Sequence, residues 1–189
     1  PSEVCCVADG SANPKWIAAD LLSQAEHDPR AAVFLITPDK DFGLAVQKEM
    51  EKQMKELSRY EITKSSVDQY AKAFLCKDAE QCFDIVNKIA PEHLEVELPD
   101  PKKYLPLIYN AGAIFLGKYT SEPIGDYMAG PNHTLPTSGT AAFSSPLGVY
   151  DFVKHSSVEC YSEEAFRKIS KKVQLFAKAE GLTAHAHAM

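Results

Sequence analysis

Short apolar runs recurring between amphipathic stretches constrain this chain more than any other feature. Val4–Ala8, Ala32–Thr37, Tyr70–Cys76, Leu94–Leu98 and Ala111–Leu116 each have the length of one strand and are too short for an ordinary buried helix. Between the first two, Trp16, Ile17, Leu21 and Leu22 share one face of a helix that Pro14 opens and Asp28-Pro29 stops near His27, since proline fits a first helical turn and disfavours helix in the residue before it. Pro38-Asp39 opens a long charged helix running to about Ser58, Ala79–Ile89 is a further helix, and a short one lies around Lys102–Tyr109. Strands alternating with helices in this way predict parallel strands covered by helices.

Beyond the last strand the pattern changes. Residues 117–146 are rich in Gly, Pro, Ser, Thr and Asn and show no periodicity; loops this long inside a compact domain usually carry function. Phe152–Cys160 reads as one more strand-like piece. Ser162, followed by Glu163 and Glu164, predicts the N-cap of an amphipathic helix to Ala179, which Gly181 ends as a left-handed cap. The expected fold is α/β: an incomplete Rossmann-like parallel sheet with helices on both faces, plus a C-terminal helical tail. We divide it into residues 1–142, the later part of the Rossmann-like domain, and 143–189, a C-terminal tail segment. Because the sequence opens directly into a strand-like run, with no turn or helix before it, it reads as a fragment or split subunit whose sheet lacks its first strands.

Composition narrows the partners. A net charge of −6 and an isoelectric point near 5.5, with Lys and Arg scattered, offer no phosphate-neutralising surface, so nucleic acid is not an expected partner. No apolar run approaches the roughly 20 residues that cross a bilayer. Pro1-Ser2-Glu3 lacks the charged start and apolar stretch of a secretory signal, and the expectation is a cytoplasmic protein without membrane contact. The five cysteines have no CxxC spacing, which suggests neither a disulfide framework nor a thiolate zinc site. Cys5, Cys6 and Cys76 lie in apolar runs and are expected to be buried and reduced.

Four constellations could do chemistry. Gln24 and His27 share the last turn of the first helix, where an amide oxygen and an imidazole nitrogen could address one ion; solvated or capping side chains would look the same. Glu92 and His93 stand on a rigid Ala-Pro-Glu-His bend leading into a strand, and histidine is the residue suited to base catalysis near neutrality. That junction belongs at the strands' amino ends, away from the usual ligand edge of such sheets, and a charged helix-ending turn in water is the bland alternative. Asp126 and His133 share a glycine-rich loop that could approach a small ligand closely, although Asp, Asn, Gly and Pro form turns without any ligand. His185 and His187 follow the final helix, and either could reach a metal. Together Gln24, His27, Asp126 and His185 form an oxygen and nitrogen donor set without thiolate, the chemistry of a catalytic zinc site.

The stretches PSEVCCVAD, LLSQAEHD, APEHLE, NAGAIFLGKYTSEPIGDYMAGPNHTLPTSGTA and EGLTAHA, taken together and in this order, resemble the histidinol dehydrogenases. The likeness spans essentially all 189 residues but corresponds only to the later part of that family's longer chains. It implies Gln24, His27, Asp126 and His185 as zinc ligands, His185 rather than His187 matching the family's final motif. His93 is implied as general base with Glu92 as its partner. Ser2, His133 and Glu180 are implied as substrate contacts, with Gln24, His27, His93, Asp126 and His185 also close to substrate. The implied reaction, the last steps of histidine biosynthesis, takes L-histidinol to L-histidine through L-histidinaldehyde with two NAD in succession. The implied assembly is a homodimer exchanging tails, so that each site takes its last zinc ligand from the neighbouring subunit. Most NAD contacts would lie in an N-terminal half that this sequence does not contain, and no GxGxxG fingerprint is present. Two alternatives stay open: a zinc hydrolase with Glu92 as base, although HExxH is absent, and a catalytically incomplete dimerising fragment that binds zinc and substrate without the NAD-binding part.

Overall fold

Every residue of the run Glu3–Ala8 is buried, because this strand, β1, lies at the centre of a five-stranded parallel sheet. A computed structural model describes residues 1–189, in two units, Pro1–Asp151 and Phe152–Met189. In the first, β2 (Ala32–Thr37), β3 (Lys72–Leu75), β4 (His93–Glu97) and β5 (Ala113–Leu116) complete the order β3-β2-β1-β4-β5, with every neighbouring pair parallel. This is the α/β sheet expected from the alternation of runs.

Period-two alternation splits β1 between two cores. Val4, Cys6 and Ala8 face α1 (Pro14–Ala25) and α2 (Lys40–Gln53), where Ile17, Leu21, Phe42 and Val46 close on them. Cys5 and Val7 face the opposite way, against Phe83 and Val86 of α4 (Ala79–Ile89). Helices therefore cover both faces. Their starts are set by side chains that accept backbone N–H groups otherwise left unpaired: Asn13 from Lys15, Asp39 from Phe42 and Asp78 from Gln81. Cys5, Cys6 and Cys76 are buried free thiols as expected, Cys82 joins them, and Cys160 is exposed.

Three expectations need correction. The charged helix does not run to Ser58: α2 ends at Gln53, a single 3₁₀ turn follows over Met54–Glu56, and a separate helix, α3, spans Tyr60–Tyr70. The buried side chains of α3 are Thr63 and Ser66, and Ser66 Oγ donates to the Ala31 carbonyl at 2.9 Å, so no apolar stripe announces the helix. The third strand consequently starts at Lys72 rather than Tyr70. Finally, Phe152–Cys160 forms no strand; after a 3₁₀ turn over Val149–Phe152 its residues are irregular and exposed. β-Branched residues such as Val153 and Val158 favour extended backbone, but without a neighbouring strand to pair with there is no ladder to form.

The second unit holds α6 (Glu163–Ala179), capped by Ser162 Oγ accepting the Ala165 N–H, and a short α7 (Thr183–His187). Gly181, at φ +75°, makes the left-handed turn between them. No helix of the chain is long and apolar enough to cross a membrane.

Candidate active site

α4 ends at Ala90 in the left-handed region, φ +50°. Pro91 and Glu92 follow, and His93 is the first residue of β4, in register with Val4 of β1. Glu3 then holds both titratable groups of the bend with its backbone. Its N–H donates to Glu92 Oε2 at 2.9 Å, and its carbonyl lies 2.8 Å from His93 Nδ1. A carbonyl only accepts, so Nδ1 carries the proton and Nε2 presents its lone pair. Gly112 runs past the same bend, where a Cβ would stand 2.5 Å from the Glu92 carbonyl oxygen; a side chain there would push the bend out of place.

Nε2 points towards a short helix, α5 (Glu122–Tyr127), which runs back along β4 towards its amino end. Glu122 Oε1 lies 3.7 Å and Asp126 Oδ1 4.0 Å from Nε2. The four-residue spacing of Glu122 and Asp126 puts both carboxyls on one face of α5, and ligand atoms of His93, Glu122 and Asp126 all fall within 4.8 Å of one another. From the other side α1 delivers Gln24, buried on its last turn, with its amide close enough to Glu122 to act on that carboxyl. His27 follows in the open, its carbonyl accepting from Arg59 at 3.2 Å, near enough for its charge to act on His93. Ser2 precedes Glu3, and the Ser2 carbonyl accepts the Ala32 N–H. His133 Nδ1 lies 3.4 Å from the Asp126 carbonyl. A cavity of about 560 Å³ opens beside these groups, lined by His93, Phe115, Ile124, Asp126, His133 and Leu135 among others, within the range of small-molecule pockets.

Buried polar side-chain atoms normally find partners. The exceptions in this chain are Glu3 Oε2, both polar atoms of Gln24, His93 Nε2 and Glu122 Oε1, all on the residues of this one cluster. Such a concentration marks a place built to receive something that supplies the missing partners. Burial also shapes its acid-base chemistry: it holds His93 below its ordinary value, which keeps the imidazole neutral, and pushes Glu92 up to about 7, with the Glu3 carboxyl adding to the rise. Glu122 is pushed up to about 8, first by burial and then by Asp126 beside it.

The structure thus gathers Gln24, His27, Glu92, His93, Asp126 and His133 at the amino edge of the sheet, with Ser2 alongside. Glu180 and His185, both exposed, belong to the second unit, where Glu180 closes α6 and His185 lies on α7. Sequence reasoning missed Glu3 and Glu122. Of these Glu122 had a signal: four residues before Asp126, behind Ser121-Glu122-Pro123 as a helix start.

The family model described as Histidinol dehydrogenase matches residues 1–189. The chain belongs to the histidinol dehydrogenase family. Over its whole length it is 52% identical to the histidinol dehydrogenase of Aquifex aeolicus (strain VF5) and 53% identical to that of Listeria monocytogenes serotype 4b (strain F2365), covering 44% of each. It superposes with TM-score 0.90 and 37% identity on the crystal structure of histidinol dehydrogenase from Elizabethkingia anophelis, covering all of this chain and 43% of that one. The chain therefore spans less than half the length of the curated relatives it matches. Within this histidinol dehydrogenase segment, the gathered residues are those of the LLSQAEHD, APEHLE and GDYMAGPNHTLP stretches.

Proposed function

We propose that this chain supplies the zinc- and substrate-binding part of an NAD-linked enzyme that oxidises L-histidinol to L-histidine through L-histidinaldehyde, the last steps of histidine biosynthesis. One observation carries the reading: His93 is held as a neutral base with Nε2 free, facing a cluster of unpartnered buried donors and acceptors.

Zinc fits that cluster. Gln24 Oε1 is an oxygen without a partner, Asp126 a carboxylate at the cavity, and His27 an imidazole beside them; oxygen and nitrogen donors without thiolate suit a catalytic ion. Gln24, His27, Asp126 and His185 are the proposed ligands, and Ser2, His133 and Glu180 the further substrate contacts. Zinc held by these residues would supply electrostatic stabilisation and orient the substrate through its imidazole and amino groups. NAD would accept the hydride, and most of its contacts are assigned to the length of the relatives that this chain does not cover.

The protein's own groups then carry the protons. His93 Nε2 takes the hydroxyl proton as hydride leaves the carbinol carbon, giving the aldehyde. Glu92, poised near neutrality, removes a proton from the water that attacks the aldehyde. Once His93 has released its first proton to solvent, the resulting hydrate loses a second hydride from carbon to a second NAD and a proton to His93, which yields the acid. Holding Nδ1–H on the Glu3 carbonyl fixes the ring so that the same nitrogen serves both oxidations.

We assign residues 143–189 to dimerisation, as a homodimer that exchanges tails so that His185 and Glu180 serve the neighbouring subunit's site, in a cytoplasmic enzyme. Large apolar groups are exposed there, Phe176 at 72% and Val158 at 92%, which a partner subunit would cover. In sedimentation at micromolar concentration the chain is expected to run as a dimer; a monomer would refute the exchange.

The coverage of 44% favours a second form of the same reading, in which the chain binds zinc and L-histidinol but does not turn over alone. Titration calorimetry of chelator-stripped chain tests both forms. Zinc should bind, L-histidinol should bind only after zinc, and Asp126→Ala should abolish both heats. NADH formed on adding NAD identifies the complete enzyme, and its absence the fragment. L-histidinol binding that ignores zinc would refute the assignment.

A further inference from the structure

Glu95 sits on β4 two residues beyond His93, paired with Cys6 of β1 and Phe115 of β5, and is 1% exposed. Burying a carboxyl costs free energy that an apolar side chain would not, so its partners indicate what keeps it there. Oε2 accepts the Cys6 thiol at 3.3 Å, and Oε1 accepts the backbone N–H of Glu122 at 2.6 Å. Ser121, at the cap position of α5, makes no side-chain capping bond. The bond to the helix's first N–H comes instead from a strand in the sheet interior. A third neighbour is Asp20 of α1, near enough for its charge to act on the same carboxyl.

Each of these contacts leads to the site by a short rigid path. Asp126 lies one turn after Glu122 on α5, Gln24 one turn after Asp20 on α1, and Glu3 three residues before Cys6 on β1. Glu95 itself shares β4 with His93. One buried carboxyl therefore bonds to two elements that bear site residues, lies near a third and belongs to a fourth.

We infer that Glu95 is a positioning residue: its carboxyl clamps the first turn of α5 to the sheet and so sets Asp126 against His93 and Gln24. The inference rests on the zinc site of the preceding subsection, and it concerns an interaction outside the ligand set. Its side chain touches neither cavity nor ligand, so its effect passes through α5.

The test uses the full chain and compares Glu95→Met, which keeps the volume but cannot accept the N–H, with Glu95→Gln, which still can. Glu97→Gln, the next carboxyl on the same strand face, is the control for changing a buried acid on β4. Hydrogen exchange of the zinc-free protein should show the amides of residues 122–128 exchanging at least tenfold faster in E95M, with β1 and α4 unchanged. Zinc affinity, read by competition with a chromogenic chelator, should fall at least about tenfold in E95M. E95Q should stay within about threefold of the parent in both readouts, as should E97Q. Zinc affinity in E95M equal to the parent's would overturn the positioning role, and so would loosening of the whole sheet in place of α5. A parent chain that takes up no zinc refutes the zinc site itself, which is a separate outcome. Should E95M fail to fold, Glu95→Ala, which leaves room for a water, is judged by the same two readouts.

Discussion

Replacing His93 by asparagine is expected to lower the rate of L-histidinol oxidation by about 10²–10⁴-fold, the usual worth of a positioned general base, in a polypeptide that joins this chain to the remaining length its relatives carry. Asparagine places an amide N–H where His93 Nδ1 approaches the Glu3 carbonyl to 2.8 Å, so the bend should keep its shape. What it lacks is a basic nitrogen at the Nε2 position. Since His93 is not among the proposed ligands, zinc content should stay close to the parent's, and the loss should appear chiefly in kcat. Steady-state kinetics with metal analysis checks both. A kcat within tenfold of the parent's would show that another group takes the proton.

The second large effect is on stability, and its direction is unusual. Glu95 is pushed from an ordinary value near 4.5 to about 8, first by burial and then by Asp20; Glu97 is pushed to about 7 for the same two reasons, with Lys118 opposing. Both folded-state values lie above the unfolded ones, so the folded chain holds these protons more tightly. Their contribution is fully present below about pH 4.5 and is lost as pH rises through 7 to 8. At about 1.4 kcal/mol per unit, and allowing for the coupling of Glu95 with Asp20, the zinc-free chain should lose on the order of 3–6 kcal/mol between pH 5 and pH 9. For a unit of this size that corresponds to a fall of roughly 10 °C in Tm. Thermal unfolding in chelator across that range measures it. A Tm that is flat or rises with pH would mean that these carboxyls stay ionised in the folded chain.

The same buried acids mark where reading the sequence stopped short. β1 and β2 were plain because VCCVA and AVFLIT have no polar interruption, and α1 and α4 because their apolar residues recur at helical spacing. Glu3, Glu95 and Glu122 stayed hidden because a charged residue type reads as solvated until a fold closes around it; only distant partners reveal what each one holds. α3 escaped for a related reason, since the side chains it buries are a threonine and a serine. Phe152–Cys160 misled in the opposite sense: β-forming residues were present, but the neighbour that makes a strand was not. The bend at Glu92 and His93 was visible as chemistry, yet its place at the amino edge argued against it, because sheets of this kind usually bind ligands at the other edge. Two features make that edge usable: the Glu3 backbone that holds both groups, and α5, which brings Glu122 and Asp126 to His93.

That backbone clamp has a kinetic meaning. Glu3 bonds to Glu92 across 89 residues, to His93 across 90 and, through its carboxyl, to the Ser138 N–H across 135. Closing such long loops is entropically costly and tends to be slow, and no local stretch can assemble the base by itself. A half-folded chain therefore has no oriented imidazole at this bend, and that orientation arises only once β1 has joined β4.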